Sequence, residues 1–336
     1  MPIMTPIRIS YAVLVVTIIL AGVFNLGIPL LAVLFSFLAL RQLLLLVKIK
    51  WLALVLFLVL VATVATTAVY FTRAAVTAIP DIAENSIPSA SAWAQARQIE
   101  LPFTDFESLR DTVVSTLKEE AVYWRNIANF ARSATTAFVF ALIGIVIAVS
   151  LFFTNRIDLR RQARASKTSL YAVLTDEVAA RFRDFYQSFE TVMGAQLRIS
   201  LINTILTAIF VLIVQLPHAP LVIALTFVCG LLPIVGNLVS NIFIVCLAFI
   251  MSLKMAFIAL IFLIVIHKLE YFLNSKIIGD RIRNPVWLTL IGLILGERLM
   301  GIPGMILAPV VLNYLRVDLS QVETQPAVTV QPSSIV

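Results

Sequence analysis

Long uncharged stretches alternate with charged segments along this chain. The first stretch, Ile9–Leu40, contains no charged residue. Helix-disfavouring residues interrupt it near its middle: Asn25, Gly27 and Pro29. Because a helix needs about 20 apolar residues to cross the hydrocarbon core of a bilayer, this pattern predicts two spans joined in a tight hairpin. Trp51–Thr72 predicts a third span, so residues 1–72 form an N-terminal group of membrane helices.

Charged segments flank the predicted fourth span, residues 134–155. Before it, residues 73–133 hold eight acidic and six basic side chains. Thr104 and Glu107 have the spacing of a capping box, which marks the start of a helix. This charged segment is therefore predicted to be extracytoplasmic, with at least one amphipathic helix. After the span, residues 156–198 hold eight basic and five acidic side chains. A helical apolar stripe in them predicts a cytoplasmic amphipathic helix, which packs on the membrane face of its own protein or docks a partner.

The longest uncharged region, residues 199–253, contains a turn signal and a second interruption. The turn signal consists of Gln215, Pro217, His218 and Pro220, so residues 199–214 predict the fifth span. The next stretch, Ala219–Ser252, would measure about 51 Å as one helix, which exceeds an apolar core of about 30 Å. Pro233 and Gly236 lie at its midpoint and predict a bend there.

The last apolar stretches complete a C-terminal transport core, residues 199–316. Met255–Phe272 predicts a further span. Pro285–Leu315 is interrupted by candidate hinge residues: Gly296, Gly301, Pro303 and Gly304. The polar residues 317–336 predict a disordered tail.

Basic residues concentrate in three segments: 41–50, 156–198 and 268–285. Residues 73–133, by contrast, have a net charge of −2. Because cytoplasmic loops of membrane proteins carry an excess of Lys and Arg, the three basic segments are expected inside and residues 73–133 outside. The N- and C-termini are then both cytoplasmic.

Two topologies are compatible with these charges. If residues 219–252 enter from outside, turn and return, and residues 286–315 do the same from the cytoplasm, every basic segment is inside. The fold class is then an all-α polytopic membrane protein with six spans and two opposed, Gly/Pro-broken re-entrant hairpins. The alternative is eight transmembrane helices. The sides on which Lys254 and residues 268–285 lie distinguish the two.

Composition excludes most other classes of protein. Hydrophobic residues make up 61% of the 336 residues, charged residues 13%, and the mean hydropathy is +1.02. A soluble protein of this composition would have too few polar side chains to cover its surface. Soluble, secreted and nucleic-acid-binding proteins are therefore excluded. The net charge of +7 reflects cytoplasmic loops rather than a nucleic-acid patch. The two cysteines and two histidines form no metal-binding motif, and the chain carries no P-loop or hydrolase motif, so we expect no metal, cofactor or enzymatic activity.

Polar residues within the apolar core are the candidate binding or gating groups. They are Asn237, Asn241, Glu270, Asn274 and Glu297, together with Pro233 and Gly236 at the bend; Gln196 and Asn203 are weaker candidates. Interrupted apolar segments of this kind are typical of the binding sites of secondary transporters. Asn237 is expected to cap the second half-helix, and its alternative is an amide facing a neighbouring helix across a simple proline kink. Glu270 is either a coupling carboxylate or an ion-paired charge near the membrane boundary.

Several C-terminal motifs resemble those of a known family. They are Gly194-Ala195-Gln196, Pro233-Ile234-Val235-Gly236, the run KLEYFLNSKIIG from Lys268 to Gly279, and the later series Pro285, Gly292, Gly296, Gly301, Gly304 and Pro309. In this order and spacing, across residues 190–316, they resemble the autoinducer-2 exporter family of bacterial permeases. The resemblance implies a multi-pass transporter of the bacterial inner membrane that works without ATP. It also implies export of a small polar signal or metabolite, or alternatively exchange of sodium or lithium for protons.

The resulting hypothesis is a secondary transporter or exporter of a small polar solute. Its partners are a small-molecule or ion substrate, the lipid bilayer and further copies of itself in a homo-oligomer, without nucleic acid. A cation–proton antiporter is the second hypothesis. The third is a membrane scaffold that acts through residues 73–133 and 156–198.

Overall fold

The protein is described from a computed structural model that covers residues 6–95, 120–154, 170–232, 235–278 and 285–320. All ten regular elements in these residues are α-helices. They are α1 (Pro6–Val23), α2 (Gly27–Val47), α3 (Lys50–Gln95), α4 (Glu120–Phe153), α5 (Leu170–Val214), α6 (Ala219–Gly230), α7 (Val235–Met251), α8 (Leu253–Ile278), α9 (Val286–Met300) and α10 (Ile302–Ser320).

Four of the described helices contain stretches that are long and apolar enough to cross a membrane. These stretches are Gly27–Val47, Lys50–Arg73, Ala134–Phe153 and Val173–Val214. Shorter apolar helices cover Ile9–Val23, Ala219–Gly230 and Gly236–Met251. The prediction of an all-α polytopic membrane protein is therefore confirmed, and the four long stretches include the predicted second to fifth spans.

The helices α2, α3 and α4 pack around one buried cluster. Leu40 of α2 lies in it with Ala53 and Phe57 of α3 and Phe152 of α4. Earlier along α2 and α4, a side chain on Gly144 would come within 2.7 Å of the Pro29 carbonyl oxygen, so these two helices run parallel in close contact. Their C-terminal ends therefore meet the start of α3 at one end of the molecule, which we name the basic end.

The helix α5 connects this group to the C-terminal helices. Phe189 and Met193 of α5 lie in a second buried cluster with Leu14 of α1, Leu38 of α2 and Val310 of α10. Further along α5, Val211 lies in a third cluster, whose other members are Leu216, Val222, Ile244, Leu247, Ala248, Ala259 and Leu263 of the segments from the end of α5 to α8. The core is thus arranged along α5, which runs away from the basic end.

Several helices extend beyond their predicted bounds. α5 is continuous from Leu170 to Val214, so no break separates the predicted cytoplasmic helix from the fifth span at residue 198. α3 continues to Gln95 and α4 begins at Glu120, so helix also extends from the membrane spans into the charged segment. α10 continues to Ser320, which corrects the predicted start of the tail at residue 317. The predicted capping box at Thr104 and Glu107 lies outside the described residues, as do residues 321–336.

Both C-terminal apolar stretches form antiparallel helical hairpins. Val222 of α6 and Leu247 of α7 share a buried cluster, so α7 returns along α6 after that helix ends at Gly230. In the second hairpin, positions along α9 and α10 face each other, since a side chain on Gly292 would meet Leu312. The turn between them is at Gly301, with φ of 63°.

The two hairpins point in opposite directions. A Cβ on Gly27, at the turn between α1 and α2, would lie 2.7 Å from the Cβ of Pro303, so the tip of α9–α10 adjoins that turn, away from the basic end. The tip of α6–α7 points towards the basic end, because α6 starts beyond the far end of α5 and runs back along it. Opposed hairpins agree with the arrangement that the charge pattern favours.

Candidate functional site

The break between α6 and α7 is organised by side chains from α5. The last four carbonyl groups of a helix have no partner within the helix. In α6, the Gln196 amide donates to the Gly230 carbonyl oxygen at 2.6 Å, and the Ser200 hydroxyl donates to the Phe227 carbonyl oxygen at 2.8 Å. The other two carbonyls accept from the backbone N–H groups of Leu231 and Leu232. The end of α6 is therefore satisfied by protein rather than left bare.

This arrangement corrects the reason for expecting a site at the break. The sequence predicts a site here because interrupted apolar segments are typical of transporter binding sites, but the carbonyl groups at the end of α6 already have partners: two side chains of α5 and two backbone N–H groups. Gln196, a weaker candidate by sequence, holds the end of α6, and Ser200 is a residue that sequence reasoning missed. Their positions one helical turn apart on α5 are the only sequence signal for this role, and that signal does not reveal which carbonyls they reach.

Gly236 brings the two half-helices into close contact. It is buried, and a Cβ on it would overlap the carbonyl oxygen of Cys229. Its own N–H donates to the Leu232 carbonyl oxygen at 3.2 Å. The predicted importance of Gly236 therefore has a steric basis in the hairpin turn.

Asn237 and Glu270 meet immediately after the break. The Asn237 amide donates to Oε1 of Glu270 at 2.6 Å, and both residues are partly buried. Helix α7 already begins at Val235, so Asn237 lies inside it and its side chain crosses to α8. The prediction that Asn237 caps this helix is therefore wrong. The alternative, an amide facing a neighbouring helix, is the arrangement observed.

A carboxylate in an apolar helical region is costly unless it is paired or reaches water. The Asn237 amide supplies Glu270 with one hydrogen-bond donor, and the partial exposure of the carboxylate leaves its remaining acceptor capacity open to an ion, a proton or a solute. Among the described groups at the break, Asn237 and Glu270 are therefore the side chains best suited to bind an ion or a solute.

The other candidates near the first break are less closely connected to this pair. Asn241 lies one turn further along α7 and is partly buried. Asn274 lies on α8, one turn beyond Glu270, and its side chain is outside the described part of the structure. Pro233 is also outside the described residues. Asn203 is buried on α5, and its Oδ1 atom has no hydrogen-bond partner among the described residues.

The second hairpin has a different local structure. Gly296 and Gly304 touch through their main chains, since a Cβ on either would overlap the carbonyl oxygen of the other. Pro303 packs at the tip beside Gly27. Glu297 is largely exposed at 54% of its side-chain surface, and its nearest charged partner is Arg298 at 3.9 Å. The structure thus places Glu297 at the end of α9, away from the Asn237–Glu270 pair.

No group of three or more His, Cys, Asp or Glu side chains that could hold a metal ion occurs within the described residues. The polar groups at the break are amides, a hydroxyl and one carboxylate. Such a set suits hydrogen bonding and exchange of a proton or a monovalent cation more than tight binding of a transition metal.

Comparison with known proteins identifies the family. The candidate transport protein YdbI of Bacillus subtilis (strain 168) is 32% identical over 151 residues, which cover 44% of this chain and 43% of YdbI. The alignment thus spans less than half of that relative. The sequence pattern described as AI-2E family transporter matches residues 8–320, which include every hairpin and the Asn237–Glu270 pair. Because that match covers nearly the whole chain, the chain belongs to the AI-2E family of transporters.

Proposed function

We propose that this chain is a secondary transporter of the bacterial inner membrane that moves a small polar solute, such as an autoinducer-2-like signal, without ATP. The route passes the break between α6 and α7, where Asn237 and Glu270 line or gate it. The observation that carries this proposal is the 2.6 Å hydrogen bond between these two side chains beside a broken helix in an apolar region. Polar groups at such positions mark substrate and ion pathways in transporters.

The orientation that we propose places the basic end in the cytoplasm. Contacts at this end join the termini of α2, α3 and α4. The Arg41–Glu190 pair joins α2 to the first half of α5 there, and Arg181–Asp318 joins α5 to the end of α10. Segment 41–50 and the described part of segment 156–198, residues 170–198, are therefore connected at one end of the molecule, which supports cytoplasmic termini by the positive-inside rule. In this orientation α6–α7 re-enters from outside and α9–α10 from inside.

The Glu270 carboxylate also supports a second function, exchange of sodium or lithium for protons. An antiporter needs a group that binds either a proton or a cation in the same place. Glu270 lies on α8 and, among the described residues, pairs with a neutral amide rather than with a basic side chain. Such a partner leaves the charge of the carboxylate available to a cation.

Flux measurements in proteoliposomes test both functions. The full chain is reconstituted, and uptake of the candidate solute and of sodium is followed under an imposed proton gradient and then under an imposed sodium gradient. We expect Glu270→Gln to abolish any gradient-driven cation exchange, because the amide cannot release a proton. Glu177→Gln on α5 is the matched control and is expected to keep the wild-type rate.

The outcomes separate the alternatives. Solute flux without cation exchange supports the exporter, and proton-coupled sodium flux that Glu270→Gln removes supports the antiporter. If neither flux exceeds that of empty vesicles, both proposals are contradicted. A scaffold function predicts that Gly236→Ala preserves function whenever the protein folds, whereas a transport route through the break predicts loss of flux in protein that remains folded.

The proposed hairpin topology has its own test. Cysteines are placed at Lys254 and Arg281 in a background with Cys229 and Cys246 replaced, and labelled with a membrane-impermeant thiol reagent in intact cells. Labelling of position 254 from outside and of position 281 only after permeabilisation supports the re-entrant arrangement. The reverse result supports eight transmembrane helices.

A further inference from the structure

A partly open cavity of about 300 Å³ lies between α5 and α10, apart from the break. One face of α5 and one face of α10 line it. The lining residues are Asp184, Gln187, Ser188, Thr191, Asn313, Tyr314, Val317 and Asp318. Its volume is at the lower end of the range for small-molecule sites, about 300–1,000 Å³.

The charges around the cavity do not cancel. Asp318 is 7% exposed and pairs with Arg181, whose NH1 lies 2.5 Å from the Asp318 Oδ1. Asp184 has no ion pair with any other described residue. Among the described residues, Asp184 is therefore an acidic lining residue of the cavity without an ionic partner.

A buried acceptor without a partner lines the same cavity. Asn313 is 3% exposed, and its Oδ1 atom has no hydrogen-bond partner among the described residues. Such an orphaned amide oxygen costs about 1–3 kcal/mol unless a ligand or water satisfies it. Ser188, which is 4% exposed, adds a hydroxyl oxygen to the lining.

From this chemistry we infer that the cavity between α5 and α10 binds a small protonated amine. An ammonium group offers three donors and one positive charge, and the residues that line the cavity include Asp184, Ser188 and Asn313, whose amide oxygen has no partner among the described residues. A bare divalent ion fits less well, because it requires six to eight oxygen ligands around a volume far smaller than this cavity. An anion is disfavoured by the two aspartates.

This binding site does not depend on the proposed transport route. Thr191 and Gln196 are five residues apart on α5, a rise of about 7.5 Å, so the cavity lies next to the break without sharing its residues. The test is therefore a binding measurement that requires no flux. A failure of transport and a failure of amine binding are separate results.

Thermal unfolding of the purified full chain in detergent micelles provides that measurement. Ethanolamine is compared with ethylene glycol, which has the same size but no charge, and with sodium chloride at equal ionic strength. A ligand that binds the folded state raises the apparent Tm in a saturable way. We expect a saturable rise with ethanolamine alone.

Three variants locate the site. Asp184→Asn is expected to weaken ethanolamine binding roughly tenfold or more, because a charge-assisted hydrogen bond is lost. Asp176→Asn, two turns earlier on the same helix and exposed, is the matched control and is expected to leave binding unchanged. Gln187→Glu adds a carboxylate at the exposed rim of the cavity and is expected to tighten ethanolamine binding. If Asp184→Asn does not fold, this variant still tests the site.

Each remaining result contradicts the inference. Equal shifts with ethanolamine and ethylene glycol would show that charge is not recognised. A shift with sodium chloride as large as that with ethanolamine would indicate an inorganic cation site. Equal binding by Asp184→Asn and Asp176→Asn, or no saturable shift with any ligand, would exclude this cavity as an amine site.

Discussion

The two broken hairpins, α6–α7 and α9–α10, turn by different physical means. In the first, side chains of neighbouring helices supply hydrogen bonds at the turn. Gln196 and Ser200 donate to carbonyl groups at the end of α6, and Glu270 accepts from Asn237. In the second, the main chains of Gly296 and Gly304 are in direct contact, and Gly301 reverses the chain at positive φ.

A broken helix alone therefore does not make a binding site. Glycine and proline interrupt both hairpins, but in the described structure polar side chains of α5 and α8 form hydrogen bonds at the first break: Gln196, Ser200 and Glu270. The second hairpin behaves as a closely packed element whose charged pair, Glu297 and Arg298, is exposed. The difference lies in the hydrogen-bonding side chains that α5 and α8 supply to the first hairpin, and four experiments test it.

The largest effect is expected from filling the glycine contacts. Gly236→Ala places a Cβ against the Cys229 carbonyl, and Gly304→Ala places one against the Gly296 carbonyl. Because backbone cannot move aside as a flexible side chain can, each is expected to destabilise the protein by about 3 kcal/mol or more. Apparent Tm in detergent and the fraction of monodisperse protein measure the loss.

Gly292→Ala is the control for these substitutions. The shortest contact of its Cβ would be with Leu312 Cδ1 at 3.0 Å, and a leucine methyl group can shift. We expect a much smaller change in Tm. If Gly304→Ala is tolerated as well as Gly292→Ala, the second hairpin does not depend on glycine contact.

The second experiment compares the polar pair of each hairpin by double-mutant cycles. Asn237 and Glu270 are partly buried and 2.6 Å apart, so their coupling is expected to be about 1.5–3 kcal/mol. Glu297 and Arg298 are exposed and 3.9 Å apart, so their coupling is expected to be below about 0.5 kcal/mol. Equal couplings would remove the distinction between the hairpins.

Removing the cap of α6 is expected to have an intermediate effect. Gln196→Leu leaves the partly buried Gly230 carbonyl without its donor, which is expected to cost about 1–3 kcal/mol in the free energy of unfolding. Thr191→Val on the same helix is a matched control, because its hydroxyl donates to a carbonyl of its own helix, Gln187. A change no larger than that of the control would show that α6 ends without help from α5.

The smallest effect is expected at Gly301. Its φ of 63° is unfavourable for any side chain, but a Cβ would have no neighbour within 4 Å. Gly301→Ala is therefore expected to cost about 1 kcal/mol through backbone strain alone. Gly194→Ala, in the middle of α5, is expected to have the opposite sign, because alanine is the better helix former and the added Cβ meets only Arg198 at 3.8 Å. A gain in Tm for both would contradict a strained turn at Gly301.

The sequence predicts local breaks in this fold better than it predicts long-range contacts. The turn at Gln215–His218, both hairpin breaks and the first helical hairpin follow from glycine, proline and asparagine in apolar runs. The boundary predicted at residue 198 does not coincide with a helix end, because α5 continues through Arg198. Its guanidinium is exposed and donates to the Gly194 carbonyl, so the charge is accommodated within α5.

The candidate site could be predicted only in part. Asn237, Gly236 and Glu270 stand out because polar or small residues are rare in apolar segments. The caps from α5 could not be predicted, because Gln196 and Gly230 are 34 residues apart and nothing local links them. The sequence does not predict the cavity between α5 and α10, because Asp318 lies in the polar segment 317–336, whose composition is typical of a disordered tail.

The unbroken length of α5 has a mechanical consequence. Over 45 residues, about 67 Å, one helix carries the ionic contacts of Arg181 and Glu190 and the cavity wall in its first half, followed by Gln196 and Ser200, which donate to carbonyl groups at the end of α6. A rigid-body rotation of α5 about its own axis that separated Gln196 from Gly230 would therefore also displace Asp184 and both ionic contacts.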